Sequence, residues 1–384
     1  MFTIRYLHVL IQHWAIQKGD QVAFVFVPDG EQSKTEITYL ELEHRVRVVA
    51  TNLRTQAASG ERVILFYPPG LEYIVSFLAC LQAGIIPVLA YVPDNCNLSY
   101  IQEIAADAGA TIVLSTKSLI LRMNILEQIS DIEYILRRES QKFLNSNLRN
   151  KCQLIWLVTN EGAGECKTFR FPTKDNNDIA LVQYSSGSTN FYTTTYRKLL
   201  YNCCMMAQTL GCTPESYSVS LLPPYNVIGI VTGILLPLYY GFSGTIIEPR
   251  SILKKPFRWL QEISNSKDKG NVISGGPEFA YQKCINRISA EQVALLDLCH
   301  WETAFGEAEL GQAGTLLQFS SKFAAAGFQR KALLPVPRLT ECSLLASPSS
   351  LDLQQKSGQK IKRLEVDKLI VVPFVPVSGI PGWN

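Results

Sequence analysis

The segment Tyr184-Ser-Ser-Gly-Ser-Thr189 carries the strongest chemical signal in the chain. It ends an apolar run, Ile179 to Tyr184, that reads as a buried strand. Small hydroxyl residues and a glycine let backbone N–H groups turn inward around an anion, and the Ser and Thr hydroxyls add donors. The Gly-Lys-Ser/Thr of a Walker A loop is missing, so that motif is excluded. The same composition also suits a plain surface turn. Two further segments follow apolar runs: Ser274-Gly-Gly-Pro277 after Val272-Ile273, and Gly306-Glu-Ala-Glu309 after Thr303-Ala-Phe305. Three Gly-containing turns after three strands of one sheet would border the crevice where open α/β sheets bind ligands. Glu341 stands beyond the apolar run Ala332 to Leu334. Its carboxylate is a candidate ligand for Mg²⁺ beside phosphates, or a surface ion-pair partner.

Alternating helices and strands must position these turns. Thr38-Tyr-Leu-Glu41 has the capping-box spacing, and Leu42, Val46, Val49 and Leu53 follow on one helical face. Arg62 to Tyr67 reads as a strand, Leu71 to Ala83 as a buried helix stopped by Gly84, and Ile85 to Tyr91 as a second strand. Such a βαβ unit predicts a parallel sheet covered by helices. A helix over 100–108 and strands at Thr111 to Ser115 and Leu154 to Thr159 extend the pattern. The more polar stretch from Lys117 to Lys151 suits a helix pair and a loop. Further on, Leu199 to Gly211, Ile228 to Tyr240 and Phe257 to Ser264 read as helices. Tyr217 to Leu222 and Thr245 to Glu248 read as strands, and Ser289-Ala-Glu-Gln292 is a second capping box.

Bulk properties narrow the class. The 384 residues imply two to three domains, and 47% apolar with 18% charged residues is an ordinary globular balance. A net charge of +3 without long basic runs argues against nucleic acid as a partner. Ten cysteines form no C-x-x-C pair and histidines number four, so no structural zinc site is expected. Reduced thiols and an N-terminus without a secretory pattern suggest a cytoplasmic protein. Ser216 to Ile247 lacks any charge, yet Pro223, Pro224, Asn226 and four glycines divide it. It is therefore expected to be a buried βαβ piece and not a membrane span.

The order of these blocks resembles the adenylate-forming superfamily and, within it, the fatty acyl-AMP ligases. Leu65-Phe-Tyr-Pro-Pro-Gly-Leu-Glu72 and Phe77-Leu-Ala-Cys-Leu-Gln-Ala-Gly84 are similar to that family's first motif. Gln183-Tyr-Ser-Ser-Gly-Ser-Thr189 matches its phosphate loop, and Ser274-Gly-Gly-Pro-Glu-Phe-Ala-Tyr281 is the most family-specific segment. The resemblance covers roughly residues 8–347. It implies two layered α/β subdomains, over 1–175 and 176–347, then an incomplete β-rich segment over 348–384, with the C-terminal lid domain absent. It also implies ATP-dependent activation of a fatty acid to an acyl-adenylate, with ATP and Mg²⁺ as cofactors and an acyl carrier protein as acceptor. Ser185, Ser186, Gly187, Ser188 and Thr189 would hold the phosphates, Ala308 and Glu309 would lie by the adenine, and Glu341 would bind Mg²⁺. Ile228, Gly229 and Gly233 would line the acyl path.

Several positions depart from the family pattern. After Thr189 the family continues with Gly and then Pro-Lys-Gly, whereas this chain has Asn190-Phe-Tyr-Thr-Thr-Thr195. Asn226-Val227 stands where the family has His-Asp, Gly306-Glu-Ala-Glu-Leu310 replaces Asn-Gly-Ala-Glu-Pro, and Pro337-Arg338 replaces the Tyr-Gly that stacks on adenine. Losing one charge-stabilising donor costs about 3–4 kcal/mol of barrier, so two such losses slow a reaction by about four orders of magnitude. Two alternatives to an active enzyme follow: a non-catalytic pseudoenzyme that binds acyl groups or a carrier protein, and a truncated, decaying product.

Overall fold

The structure, a computed structural model, describes residues 7–29, 33–93, 98–122, 154–159, 172, 174–184, 191–307 and 314–336. Two sheets organise the chain. The first has the order β6-β5-β3-β4-β7-β8, from strands Ile155–Val158, Ile112–Ser115, Arg62–Leu65, Ile86–Leu89, Ile179–Tyr184 and Phe191–Thr195. The second has the order β13-β12-β11-β9-β10-β1-β2. Its strands are Leu333–Val336, Trp301–Glu307, Asn271–Gly276, Ser216–Ser220, Gly244–Ile247, Val22–Val27 and Thr35–Thr38. Each sheet is parallel except for one antiparallel edge strand, β8 or β2.

Both sheets share one layer of helices. Helices α2 (Tyr39–Gln56), α3 (Leu71–Ala83), Tyr196–Leu210 and the stretch 227–240 pack with the inward residues of both sheets in a single core. Val63, Leu65 and Leu114 face this layer from one side, Phe24, Ile246 and Ile273 from the other. The alternate residues face outwards. Ile64, Val113 and Val182 meet helices α4 (Leu98–Ala108) and α5 (Lys117–Arg122). Val25, Val219 and Ala304 meet helices 257–264, 278–287 and 314–323. The side-chain period of two along a strand produces this division. The expected layered α/β architecture is therefore present.

Local chemistry sets the elements. Thr38 accepts a hydrogen bond from the Glu41 amide while the Glu41 carboxylate accepts from the Thr38 amide, as the capping-box spacing predicts. Leu42, Val46, Val49 and Leu53 all lie in the core. Gly84 closes α3 in the left-handed region. The uncharged stretch 216–247 resolves into β9, a helix and β10. Among the described residues no helix is long and apolar enough to cross a membrane.

The structure departs from the sequence reading in four places. Strand pairing does not divide at residue 175, because β1 runs parallel beside β10 through Phe24 and Gly244, while β7 runs beside β4 through Val88 and Val182. Ser274 to Gly276 and Gly306 are not turns but the last residues or interior of β11 and β12. A Cβ on Gly275 would collide with the Phe305 carbonyl and ring, so glycine serves close strand approach there. Phe191–Thr195, which the sequence reading did not assign to an element, is a strand paired with β7 from Ile179↔Thr195 to Tyr184↔Phe191, with a register shift between Ile179 and Leu181. The helix over 227–240 is not uniform: α-helix Val227–Ile230 passes through a π turn, Val231–Leu235, before α-helix Leu236–Tyr240. Pro237 lacks the N–H that an α-helix would direct at residue 233 and crowds that carbonyl, and the wider turn relieves both problems.

Helix α1 (Leu7–Gln17) locks onto the end of this central helix. The Trp14 indole N–H donates to the Leu238 carbonyl at 2.6 Å, and Lys18 Nζ donates to the Gly241 carbonyl at 2.6 Å. Gly241 has φ +69°, and a Cβ there would lie 2.6 Å from the Trp14 ring. Replacing Gly241 with Ala should cost about 1–3 kcal/mol in urea unfolding, from backbone strain plus overpacking. Thr38→Ala should cost about 1 kcal/mol in the same measurement, through loss of the cap.

Candidate functional site

The candidate site is at the C-terminal ends of the parallel strands. β7 ends at Tyr184 and β8 starts at Phe191, and the two rings meet at 6.1 Å. The Tyr184 hydroxyl donates to the Asp107 carboxylate at 2.9 Å, and burial first, then this carboxylate, holds the phenol well above its usual range. This hairpin brings together both ends of a six-residue segment, 185–190. The expected phosphate-binding residues, Ser185, Ser186, Gly187, Ser188 and Thr189, lie outside the described residues. So do Ala308, Glu309 and Glu341. Their strands are described, however. Gly276 pairs with Gly306 and Glu307 with Val336, so the chain leaves β11, β12 and β13 from adjacent ends of one sheet.

The central helix starts beside the end of β7. Its first free amide, from Val227, donates to the Gln183 Oε1 atom at 3.3 Å. The next, from Ile228, donates to the Asn226 Oδ1 atom at 2.9 Å. Two orphan donors of the helix N-terminus are thereby satisfied by side chains, one of them from the other sheet. Asn226 thus works as a helix cap, a task that its amide carbonyl suits.

The three expected acyl-path residues sit on this helix. Ile228 is buried. A Cβ on Gly229 would run into the Pro223 carbonyl, and one on Gly233 would lie 3.0 Å from the Ser220 hydroxyl. Both glycines let the helix settle on the turn 221–224 and on β9. The strand is adapted for this approach: in Ser216-Tyr-Ser-Val-Ser220, Ser218 donates to the Thr232 carbonyl at 3.1 Å, while Tyr217 and Val219 point to the outer core. Thr232 itself donates to the Ile228 carbonyl at 2.8 Å beside the π turn.

An aromatic and cationic cluster bridges the two sheets at this edge. Tyr91 follows β4 and Tyr225 follows β9, and their rings meet edge to face at 5.3 Å. Arg250, after β10, donates to the Tyr91 hydroxyl at 2.7 Å and to the Val92 carbonyl at 3.1 Å. Its guanidinium lies 5.6 Å from the Tyr91 ring centroid, within cation–π range. Burial pushes the Tyr225 phenol up to about 12. Burial also raises the Glu248 carboxyl, against the opposing pull of Arg250. The Tyr225 phenol therefore keeps its proton at neutral pH. The sequence reading left out Gln183, Tyr91, Tyr225 and Arg250 as site residues. Their signal is position: each lies at, or one to five residues beyond, the end of an apolar strand.

A cleft of about 620 Å³ lies elsewhere, beside helix 257–264, and is lined by Lys254, Lys255, Arg258 and Arg287 among others. Of the expected site residues among the described ones, Ile228, Gly229 and Gly233, none borders it.

Comparison with known proteins agrees with this arrangement. A family model described as AMP-binding enzyme matches residues 11–307. The medium-chain-fatty-acid acyl-carrier-protein ligase JamA of Moorena producens is 30% identical over 378 residues, which cover 94% of this chain and 60% of that protein. The ligase TtuA of the same description, from Teredinibacter turnerae, is 29% identical over 369 residues, covering 90% of this chain and 57% of that protein. The crystal structure of a fatty acyl-adenylate ligase from L. pneumophila, in complex with acyl adenylate and pyrophosphate, superposes with a TM-score of 0.70 at 28% identity. That match covers 86% of this chain and 54% of the other. The chain thus spans less than two thirds of the length of these relatives. With the family model spanning both sheets, from α1 to the last residue of β12, the chain belongs to the AMP-binding enzymes of the adenylate-forming superfamily.

Proposed function

We propose that this chain supplies the acyl- and nucleotide-binding part of a fatty acyl-AMP ligase. In that reaction a fatty acid carboxylate oxygen bonds to the α-phosphorus of ATP, the bond to the β-phosphate oxygen breaks, and pyrophosphate leaves with its electron pair. The observation that carries the reading is the shared fold with a ligase holding acyl adenylate and pyrophosphate. The β7–β8 pairing supports it, because a Ser/Gly/Thr segment lies between the two strands in the sequence. On this reading Ser185, Ser186, Gly187, Ser188 and Thr189 hold the phosphates through N–H and O–H donors. Ala308 and Glu309 flank the adenine, and Ile228, Gly229 and Gly233 border the acyl chain.

The donor set suits Mg²⁺, since Glu341 and the loop hydroxyls offer the hard oxygens that this ion takes. The ion would neutralise charge on the phosphate oxygens. A fatty acid is the substrate, an acyl carrier protein the acceptor, and the cytoplasm the setting in which its thiols stay reduced.

Two observations favour a second reading, binding without turnover. Asn226 is used as a helix cap where the family resemblance expects His-Asp, and Phe191–Thr195 is an extended strand where it expects Gly and Pro-Lys-Gly. Titration calorimetry with a non-hydrolysable acyl-adenylate analogue, beside a fatty-acid-dependent pyrophosphate exchange assay, separates the two. Tight binding with exchange supports the ligase. Binding without exchange supports the non-catalytic protein. Binding of neither, with a non-cooperative melt, sinks both and favours the decaying product. If the analogue binds, Thr189→Ala should weaken ATP about tenfold, the loss expected for one hydrogen bond to a charged phosphate. An unchanged ATP affinity in Ser186→Ala and Thr189→Ala together would remove the phosphate assignment.

A further inference from the structure

The opposite edge of the second sheet holds an arrangement that the nucleotide chemistry does not use. Asp297, Cys299 and His300 lie in the loop that enters β12. One ligand-type atom from each, a carboxylate oxygen, the thiol sulfur and a ring nitrogen, all fall within 4.8 Å of one another. The Val272 amide, at the start of β11, donates to the His300 backbone carbonyl at 3.1 Å. The cluster is thus at the N-terminal ends of β11 and β12, away from the strand ends where Gly276 and Glu307 stand.

The histidine provides an independent observation. Its Nε2 atom lies 2.7 Å from the Ile263 carbonyl oxygen. A carbonyl only accepts, so Nε2 carries the proton and Nδ1 is left with a lone pair. That Nδ1 atom is shielded from solvent and has no hydrogen-bond partner. A buried acceptor without a donor has lost its water and gained nothing in return. A histidine with one ring nitrogen donating to a carbonyl and the other left bare is prepared as metal-ligating histidines are.

The flanking residues are held firmly. Leu298 is fully buried between the two exposed-side ligands, and its amide donates to the Ala326 carbonyl at 2.7 Å. The Asp297 amide donates to the Ser264 hydroxyl at 2.9 Å, and its carboxylate accepts from the Cys299 amide at 3.3 Å.

We infer that Asp297, Cys299 and His300 form a binding site for one Zn²⁺ ion, with water as the fourth ligand. One thiolate, one imidazole and one carboxylate are the donor mixture of a borderline-soft ion, not of Mg²⁺ or Ca²⁺. Ligand atoms around tetrahedral zinc stand about 3.5 Å apart. Binding would require the present span, up to 4.8 Å, to close to that spacing, and the Cys299 side chain is exposed. The thiol proton leaves to solvent as the metal–sulfur bond forms. The ion would tie the end of helix 257–264, through Ile263 and Ser264, to the start of β12. Its role is therefore to stabilise the sheet edge.

Titration of the full chain with Co²⁺ and Zn²⁺ tests this. The wild type should take up one ion, show a thiolate-to-cobalt charge-transfer band, and melt at a higher temperature with Zn²⁺ present. Cys299→Ser, a change at an exposed side chain that should leave the fold intact, should lose the band and at least about tenfold in Zn²⁺ affinity. Cys204→Ser, at an exposed cysteine on helix 196–210, should retain both. A wild type that binds no ion, or a Cys299→Ser chain that keeps band and affinity, overturns the assignment. Loss of the band in Cys204→Ser alone would overturn it equally.

Discussion

The close seating of one uncharged helix on one strand underlies the rest of the structure. The helix over 227–240 is buried on nearly every side, between two sheets. A helix in that position can carry no charge without a large desolvation cost. It can approach β9 because the strand turns serines towards it, and because Gly229 and Gly233 have no Cβ to hold the backbones apart. Its start then reaches Gln183 on the other sheet, and its end receives Trp14 and Lys18 from α1. Movement of this helix would separate all three.

That seating also sets where the candidate site lies. Parallel strands deliver every following loop to the same edge, and the shared helix layer holds the edges of both sheets together. The Tyr91, Tyr225 and Arg250 cluster bridges the turns after β4, β9 and β10 at that edge. Chemistry at the strand ends is therefore built from groups far apart in sequence. The opposite edge, with Asp297, Cys299 and His300, has a different donor set and faces a different task.

Two of the departures from the family pattern have become structural parts. Asn226 satisfies an amide that a helix start leaves open. Phe191 begins a strand whose pairing closes the hairpin around 185–190. Both substitutions are locally favourable, since Asn is a good cap and Phe, Tyr and Thr are good strand residues. Local fitness of this kind shows that these positions serve the fold, whichever reading of the activity holds.

Much of the fold was legible in the sequence, and the reason is physical. Period-two and period-3.6 apolar patterns, two capping boxes and glycine stops act within a few residues, so they can be read without knowing neighbours. They were enough for the βαβ order, for the faces of α2, and for rejecting a span at 216–247. What the sequence could not show depended on partners tens to hundreds of residues away. Gly275 looked like a turn residue, and only the Phe305 backbone beside it explains its place inside β11. β1 reads as part of the first unit, yet pairing with β10 places it in the second sheet. Four histidines and no C-x-x-C pair argued against zinc, because ligand spacing along the chain was the only guide. The Ile263 carbonyl chose the tautomer of His300, and that choice exists only after helix and strand have packed.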